Sequence, residues 1–186
     1  MEELVVMRKM RSFIFAIIAI TSVSAIGVIA QTPSAASAQT IERQVYKKLR
    51  GLPYYGVFDN ITASVNGSTV TLYGKVITLG TKSAAARVVG DIPGVAEVVN
   101  RIEDLPPSGV DNRIRLEAYR TFVNRGPAQY FSTINPDVRI IVEHGRITLE
   151  GFVSRQSDSD LLNILANGIS GVFKVTNNLV VGKRAA

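Results

Sequence analysis

The amino-acid sequence predicts an α+β fold built from two repeated α-β-β-α-β units, each a small three-stranded mixed sheet covered on one face by two helices. The first observation behind this is an internal repeat. Thr71-Leu72-Tyr73-Gly74-Lys75-Val76 is answered by Thr148-Leu149-Glu150-Gly151-Phe152-Val153 at a shift of 77 positions. The shift persists through Gly94-Val95 and Gly171-Val172, Val98 and Val175, Asn100 and Asn177, and Ile102 and Leu179. Self-similarity held in register over this length marks a duplicated structural unit. The second observation is a pair of hairpin signatures: runs of alternating polarity flank Asn66-Gly67 in one copy and His144-Gly145 in the other, residue pairs that accept the dihedrals of a tight turn. The third is a set of apolar stripes at helical spacing on either side of each hairpin.

Taken in order, the chain opens with Arg8, Lys9 and Arg11 ahead of the apolar run Phe13 to Ile20, the make-up of a secretory signal. Residues 1–38 are therefore expected to be a signal peptide, with small-residue cleavage sites at Val28-Ile29-Ala30 and, preferred, Ala36-Ser37-Ala38. The alternative is a retained N-terminal membrane anchor, because Phe13 to Ala30 is as long as the shortest spanning helices, although Thr21, Ser22, Ser24 and Gly27 dilute it. The first unit spans residues 39–105. Ile41, Val45, Leu49 and Leu52 share one helical face, and Pro53 ends that helix. Ile61 to Val65 and Val70 to Val76 form the hairpin, Ala84, Ala85, Val88 and Ile92 the stripe of a second helix, and Gly94 releases the chain into a strand with Val95, Val98 and Ile102.

Residues 106–112 read as a short, stiff linker, since Leu105-Pro106-Pro107-Ser108-Gly109 has no apolar period. The second unit, residues 113–183, repeats the order: a helix over Ile114, Ala118, Tyr119 and Phe122, a hairpin, and a helix with Leu161, Leu162, Leu165 and Ile169 inward. Ser157 and Asp160 are expected to form a capping box for that last helix. Units of about 65–75 residues lie near the lower limit for independent stability, so the two are expected to pack against each other.

Composition narrows the chemistry. The 186 residues include no cysteine and no tryptophan, which excludes disulfides, thiolate-bound zinc, iron–sulfur clusters and a lipidated N-terminal cysteine. The single histidine, His144, sits in the predicted turn beside Glu143 and lacks the converging ligands a metal requires. Gly74 and Gly151 belong to no phosphate-cradling loop and are read as strand positions needing close backbone approach. Asn100 and Asn177 are read as amides satisfying neighbouring main chain. The acidic residues are scattered, Glu103 and Asp104 before the linker and Asp158 and Asp160 at a helix start, with no facing pair for glycoside hydrolysis. No nucleophile and base stand at an informative spacing, so neither catalysis nor a cofactor is expected. The formal charge is +6, and removal of residues 1–38 leaves 18 basic against 13 acidic side chains, a balance favouring anionic partners.

The pattern of Gly67, Val70-x-Leu72-x-Gly74-x-Val76, helix, Gly94-Val95-x-x-Val98-x-Asn100 resembles the BON domain, and the second copy carries it at Gly145, Ile147, Leu149, Gly151, Val153, Gly171-Val172, Val175 and Asn177. The resemblance implies an exported bacterial envelope protein with phospholipid association, in some members with roles in osmotic stress or chaperoning, and without catalytic activity. It also implies that the motif residues build the fold. One departure is visible: turn and motif glycine are one residue further apart in the first hairpin than in the second, which predicts a bulge or a different turn there.

Binding is best sought in basic, amphipathic surface. The first helix of the second unit offers Arg113, Arg115, Tyr119, Arg120 and Arg125 as candidate lipid-binding residues, interleaved with Leu116 and Phe122 and followed by Tyr130-Phe131. Guanidinium groups would hold lipid phosphates while aromatic edges rest among the head groups. The competing reading puts Tyr119 and Phe122 in the core and leaves the arginines as a solvated face. A weaker patch is Arg43, Lys47, Lys48 and Arg50 with Tyr54-Tyr55. Each basic side chain near an anionic leaflet contributes about 1 kcal/mol, enough together for salt-sensitive peripheral attachment. The expectation is therefore a non-enzymatic periplasmic protein whose partners are anionic phospholipids or envelope proteins, not nucleic acid; a stress-linked holdase chaperone is the alternative.

Overall fold

A computed structural model describes residues 35–132 and 135–182. The export signal, and with it the anchor alternative, lies outside the described residues apart from its last few. The chain folds as α1 (Ala35–Arg50), β1 (Asn60–Asn66), β2 (Thr69–Val76), α2 (Thr81–Gly90) and β3 (Glu97–Asp104), then α3 (Gly109–Arg125), β4 (Val138–Glu143), β5 (Arg146–Val153), α4 (Gln156–Asn167) and β6 (Lys174–Val181). The preferred cleavage site after Ala38 thus falls within α1, and α3 starts inside the segment read as linker, where the Ser108 hydroxyl caps it by accepting from the Asp111 amide at 3.1 Å.

In both units the hairpin strands pair antiparallel and the third strand lies parallel to the middle one, giving sheets β1-β2-β3 and β4-β5-β6. This is the predicted pair of mixed three-stranded sheets. Ile41, Val45, Leu49 and Leu52 are all buried, as their spacing requires. The later helices are rotated from the expected stripe. In α2 the buried positions are Thr81, Ala85 and Val89, with Ala84 and Val88 half-buried at the edge. In α4 they are Ser159, Leu162 and Ala166, leaving Leu165 half-buried and Leu161 exposed.

The rotation has a shared cause. Asn177 donates from Nδ2 to the Ser159 carbonyl and hydroxyl at 3.2 and 2.9 Å, and Asn100 donates to the Lys82 carbonyl at 2.8 Å, tying the first turn of each helix to the third strand. Each side chain also accepts from the amide two residues on, Leu179 and Ile102. The expected capping box is not formed. Arg155 occupies the cap position of α4 without a side-chain bond, Ser157 lies in the first turn, and Asp160 accepts from the Gln156 side chain.

Gly74 and Gly151 occupy equivalent surroundings. They pair with Ile61 and Val138, have φ of +129° and +118°, and leave room so small that an added Cβ would come within 1.9 Å of the Asn60 carbonyl oxygen and 2.0 Å of that of Asp137. The hairpin difference resolves as two turns, with no bulge. The loops are Gly67-Ser68, with positive φ at the first residue, and His144-Gly145, with positive φ at both. The glycine changes place within a two-residue loop while the strands keep register.

The two units do pack against each other. Val57 and Phe58, from the loop after α1, lie against the second core, where the Phe58 ring meets Tyr119 edge-on at 6.2 Å. The Ile140 amide donates to the Val57 carbonyl at 2.7 Å, and Arg139 donates to the Gly56 carbonyl while its guanidinium sits 4.3 Å from the Tyr55 ring centre. Arg139 and Ile141, on the face of β4 away from its own helices, are consequently buried, whereas the corresponding face of β1 keeps Thr62 and Ser64 exposed.

Candidate functional site: a basic groove beside a buried charge cluster

The helix α3 divides its charges between two environments. Its inward stripe, Asp111, Ile114, Arg115, Ala118 and Phe122, follows helical spacing and is buried, polar ends included. The Asp111 carboxylate accepts from the amides of His144 at 3.0 Å and Gly145 at 2.8 Å, holding the hairpin turn against the helix start. Burial alone would raise its pKa; the Gly145 and His144 amides, Arg115 and the Ser108 hydroxyl outweigh that and hold the carboxyl below its ordinary value. Arg115 donates from Nη2 to the Val142 carbonyl at 2.6 Å, while its Nε is buried without a partner. Burial lowers its pKa, against the opposing pull of Asp111 and Asp59. Asp59, 1% exposed, accepts from the amides of Gly56 and Ile77, yet burial prevails over these and over Arg139 and Arg115 and raises its pKa. The attractions of Asp59 for Arg115 and Arg139 run between the units, while the hydrogen bonds of Asp111 and Arg115 stay within the second.

Two of the five candidate lipid-binding residues are corrected by this placement. Arg115 is interior, its charge answered by Asp111 and Asp59, so no phosphate reaches it. Tyr119 is half-buried against Phe58 and the core, away from the other arginines. The ring pair Tyr130-Phe131 is also core: the Tyr130 hydroxyl donates to Asp158 at 2.7 Å and accepts from the Ser154 amide at 2.9 Å.

The remaining three, Arg113 and Arg120 on the outward face of α3 and Arg125 at its C-terminal end, line a groove of about 810 Å³ between α3 and α4. Leu116 and Glu117 stand between the arginines, and Ile164 of α4 faces them from the other side. The floor is apolar and open, with Val110 49%, Leu116 43% and Ile164 67% exposed. The sequence reading missed Val110 and Ile164 because neither belongs to a buried stripe. Their signal was an apolar residue outside that stripe, at positions where α1 and α2 carry Ser37 and Arg87. Such a surface, apolar inside and cationic at the rim, suits a ligand with acyl and phosphate parts.

Among the described residues no helix is long and apolar enough to cross a membrane, and no cluster of three His, Asp or Glu side chains converges on a metal position. A comparison with curated proteins finds no match. Among solved structures, the C-terminal domain of CdsD, a structural protein of the type III secretion system of Chlamydia trachomatis, is similar with 13% identity and a TM-score of 0.30, covering 78% of this chain and 67% of that one. A second structure of CdsD gives 13% identity and a TM-score of 0.27, covering 75% of this chain and 90% of that one. Similarity at these TM-scores supports no statement about fold or function. The BON domain family model matches residues 37–103 and 130–183, the second match beginning after α3. With the match spanning more than half of the sequence, and with two α-β-β-α-β units superimposable in topology and in their motif glycines, the chain belongs to the BON domain family and carries two such domains in tandem.

Proposed function

We propose that this is a non-enzymatic protein of the cell envelope, exported to the periplasm, that attaches peripherally to anionic phospholipid membranes through its second BON domain. The observation that carries the reading is the α3–α4 groove, where Arg113, Arg120 and Arg125 border exposed Leu116 and Ile164. Guanidinium groups on a rigid helix bind phosphate bidentately, and the apolar floor accepts acyl or glycerol carbon. The basic signal-like start and the BON resemblance supply the expected compartment.

Sedimentation with phosphatidylcholine vesicles, with and without phosphatidylglycerol, tests it at low salt. Binding should require the anionic lipid, weaken with salt, and disappear in Arg113→Glu/Arg120→Glu. Equal absence of binding to both vesicles would remove the lipid part. A holdase reading draws on the exposed apolar side chains of the groove and on Leu79 of the first domain, 86% exposed. It predicts suppression of client aggregation without any dependence on lipid.

A further inference from the structure

The second domain ends in a feature that the first lacks. Phe173, in the loop between α4 and β6, is 84% exposed. It is not a loose side chain. Its amide donates to the Gly145 carbonyl at 2.9 Å, and its ring lies so close over Gly145 that a Cβ there would be 2.5 Å from the ring edge. One edge of the ring lies over the hairpin turn and the rest stands in solvent. Arg146 and Lys174, register partners at the start of β5 and β6, follow the turn and the ring in the chain; both are exposed and line a shallow depression shared with Glu143 and Glu150. The Asp111 bonds to the same turn bring the N-terminus of α3 alongside, and Arg113, Ser170 and Gly171 line the adjoining end of the groove.

The first domain serves as an internal control, because its backbone is the same. The Ala96 amide donates to the Ser68 carbonyl at 2.8 Å, the bond equivalent to Phe173 and Gly145. Ile41 approaches Gly94 as Ile114 approaches Gly171, so the helices correspond too. Yet the positions of Phe173, Arg146, Lys174 and Arg113 are held in the first domain by Ala96, Thr69, Glu97 and Thr40. At these positions three cations and an aromatic ring replace one carboxylate and a methyl group. An aromatic ring held out from the fold has no folding reason to remain in water, and cations at the neighbouring positions would meet head-group phosphates as the ring enters the layer beneath them.

We infer that Phe173, seated on Gly145 with the exposed Arg146 and Lys174 next to it in the chain and the sheet register, is the side chain that inserts into an anionic leaflet when the second domain docks. The inference rests on the lipid-binding reading of the groove and adds the element that enters the bilayer and the orientation of the domain upon it. Because the chain contains no tryptophan, Phe173→Trp provides a unique fluorophore. Its emission should shift to the blue with phosphatidylglycerol vesicles and be quenched by brominated acyl chains, while Ala96→Trp should remain unshifted. Phe173→Ser should bind about tenfold more weakly, the loss expected for withdrawing part of an aromatic ring from an apolar layer, with an unchanged melting temperature. Wild-type binding accompanied by an unshifted Phe173→Trp and an undiminished Phe173→Ser would overturn the inference alone. A shift at Ala96→Trp as large as at Phe173→Trp would overturn it as well. Failure of the wild-type protein to bind anionic vesicles at all would overturn both the inference and the groove reading.

Discussion

Replacing Gly74 and Gly151 by alanine separates a fold-building role from any other for these residues. An alanine Cβ at position 74 would lie 1.9 Å from the Asn60 carbonyl oxygen, 2.9 Å from its carbon and 3.1 Å from the Ile61 Cα; at position 151 the same atoms of Asp137 and Val138 would be at 2.0, 3.0 and 3.3 Å. To restore ordinary contact, β1 or β4 must withdraw from its partner by about 1 Å, which takes neighbouring ladder bonds outside the roughly 2.7–3.2 Å range of good geometry. One or two weakened bonds cost about 1 kcal/mol each. The positive φ adds about 1–3 kcal/mol for a residue with a Cβ. Each substitution should therefore destabilise by about 2–5 kcal/mol, a large part of a typical stability of about 5–15 kcal/mol. Urea unfolding followed by circular dichroism measures this, with Gly80→Ala as control. Gly80 has φ +92° but nothing within 4 Å of an added Cβ, so only the backbone cost of about 1 kcal/mol or slightly more applies there. Gly74→Ala and Gly151→Ala variants no less stable than Gly80→Ala would refute the close-approach argument.

Asp111 and Asp59 should respond to pH with opposite signs. Asp111 has a lowered folded-state pKa, so its stabilisation is present above the ordinary carboxylate range and lost as pH falls through the folded value; Asp59 has a raised one, so its contribution is greatest at low pH and declines as pH rises through the folded value. Stability relative to wild type, measured by denaturation between about pH 3 and pH 6, should show Asp111→Asn falling behind as pH rises and Asp59→Asn catching up. Arg139→Ala removes the bond to the Gly56 carbonyl and the stack on Tyr55, and should cost about 2–4 kcal/mol; calorimetry should show the single transition separating into two. The Lys75–Glu143 pair bridges the domains as well, but both side chains are about one-third exposed, so a double-mutant cycle should return a coupling below about 1 kcal/mol.

The repeat, the hairpins and the motif glycines were legible because they depend on local rules. The spacing of Gly74 and Gly151 carries the register directly, and the period-2 and period-4 stripes of β1, β2 and α1 bury what they should. What escaped depends on partners distant in sequence. Arg115 and Asp111 share the stripe of Ile114, Ala118 and Phe122, which by spacing alone points inward; a charge there was read as surface because its partners Asp59 and Val142 come from other elements. Tyr130-Phe131 looked like a head-group pair because the Asp158 acceptor that lets the tyrosine be buried follows 28 residues later. The capping box expected at Ser157 does not form because α4 starts at Gln156 with Arg155 at the cap position, which puts Ser157 inside the first turn. The exposure of Arg113 and Arg120 is legible because it needs no distant partner: they occupy the face of α3 left over by the core. Phe173 escaped since an aromatic residue just before a strand carries no period that distinguishes an exposed ring from a buried one.

Paramagnetic broadening of backbone amide resonances by vesicles or bicelles doped with a head-group spin label locates the membrane-facing surface residue by residue. Docking through the second domain predicts strong attenuation at Arg113, Leu116 and Arg120 along the groove and at Phe173 and Lys174 in the adjoining loop, with Thr40, Arg43 and Ala96 of the first domain left sharp. Attenuation centred on the first domain, or spread evenly over both, would contradict it.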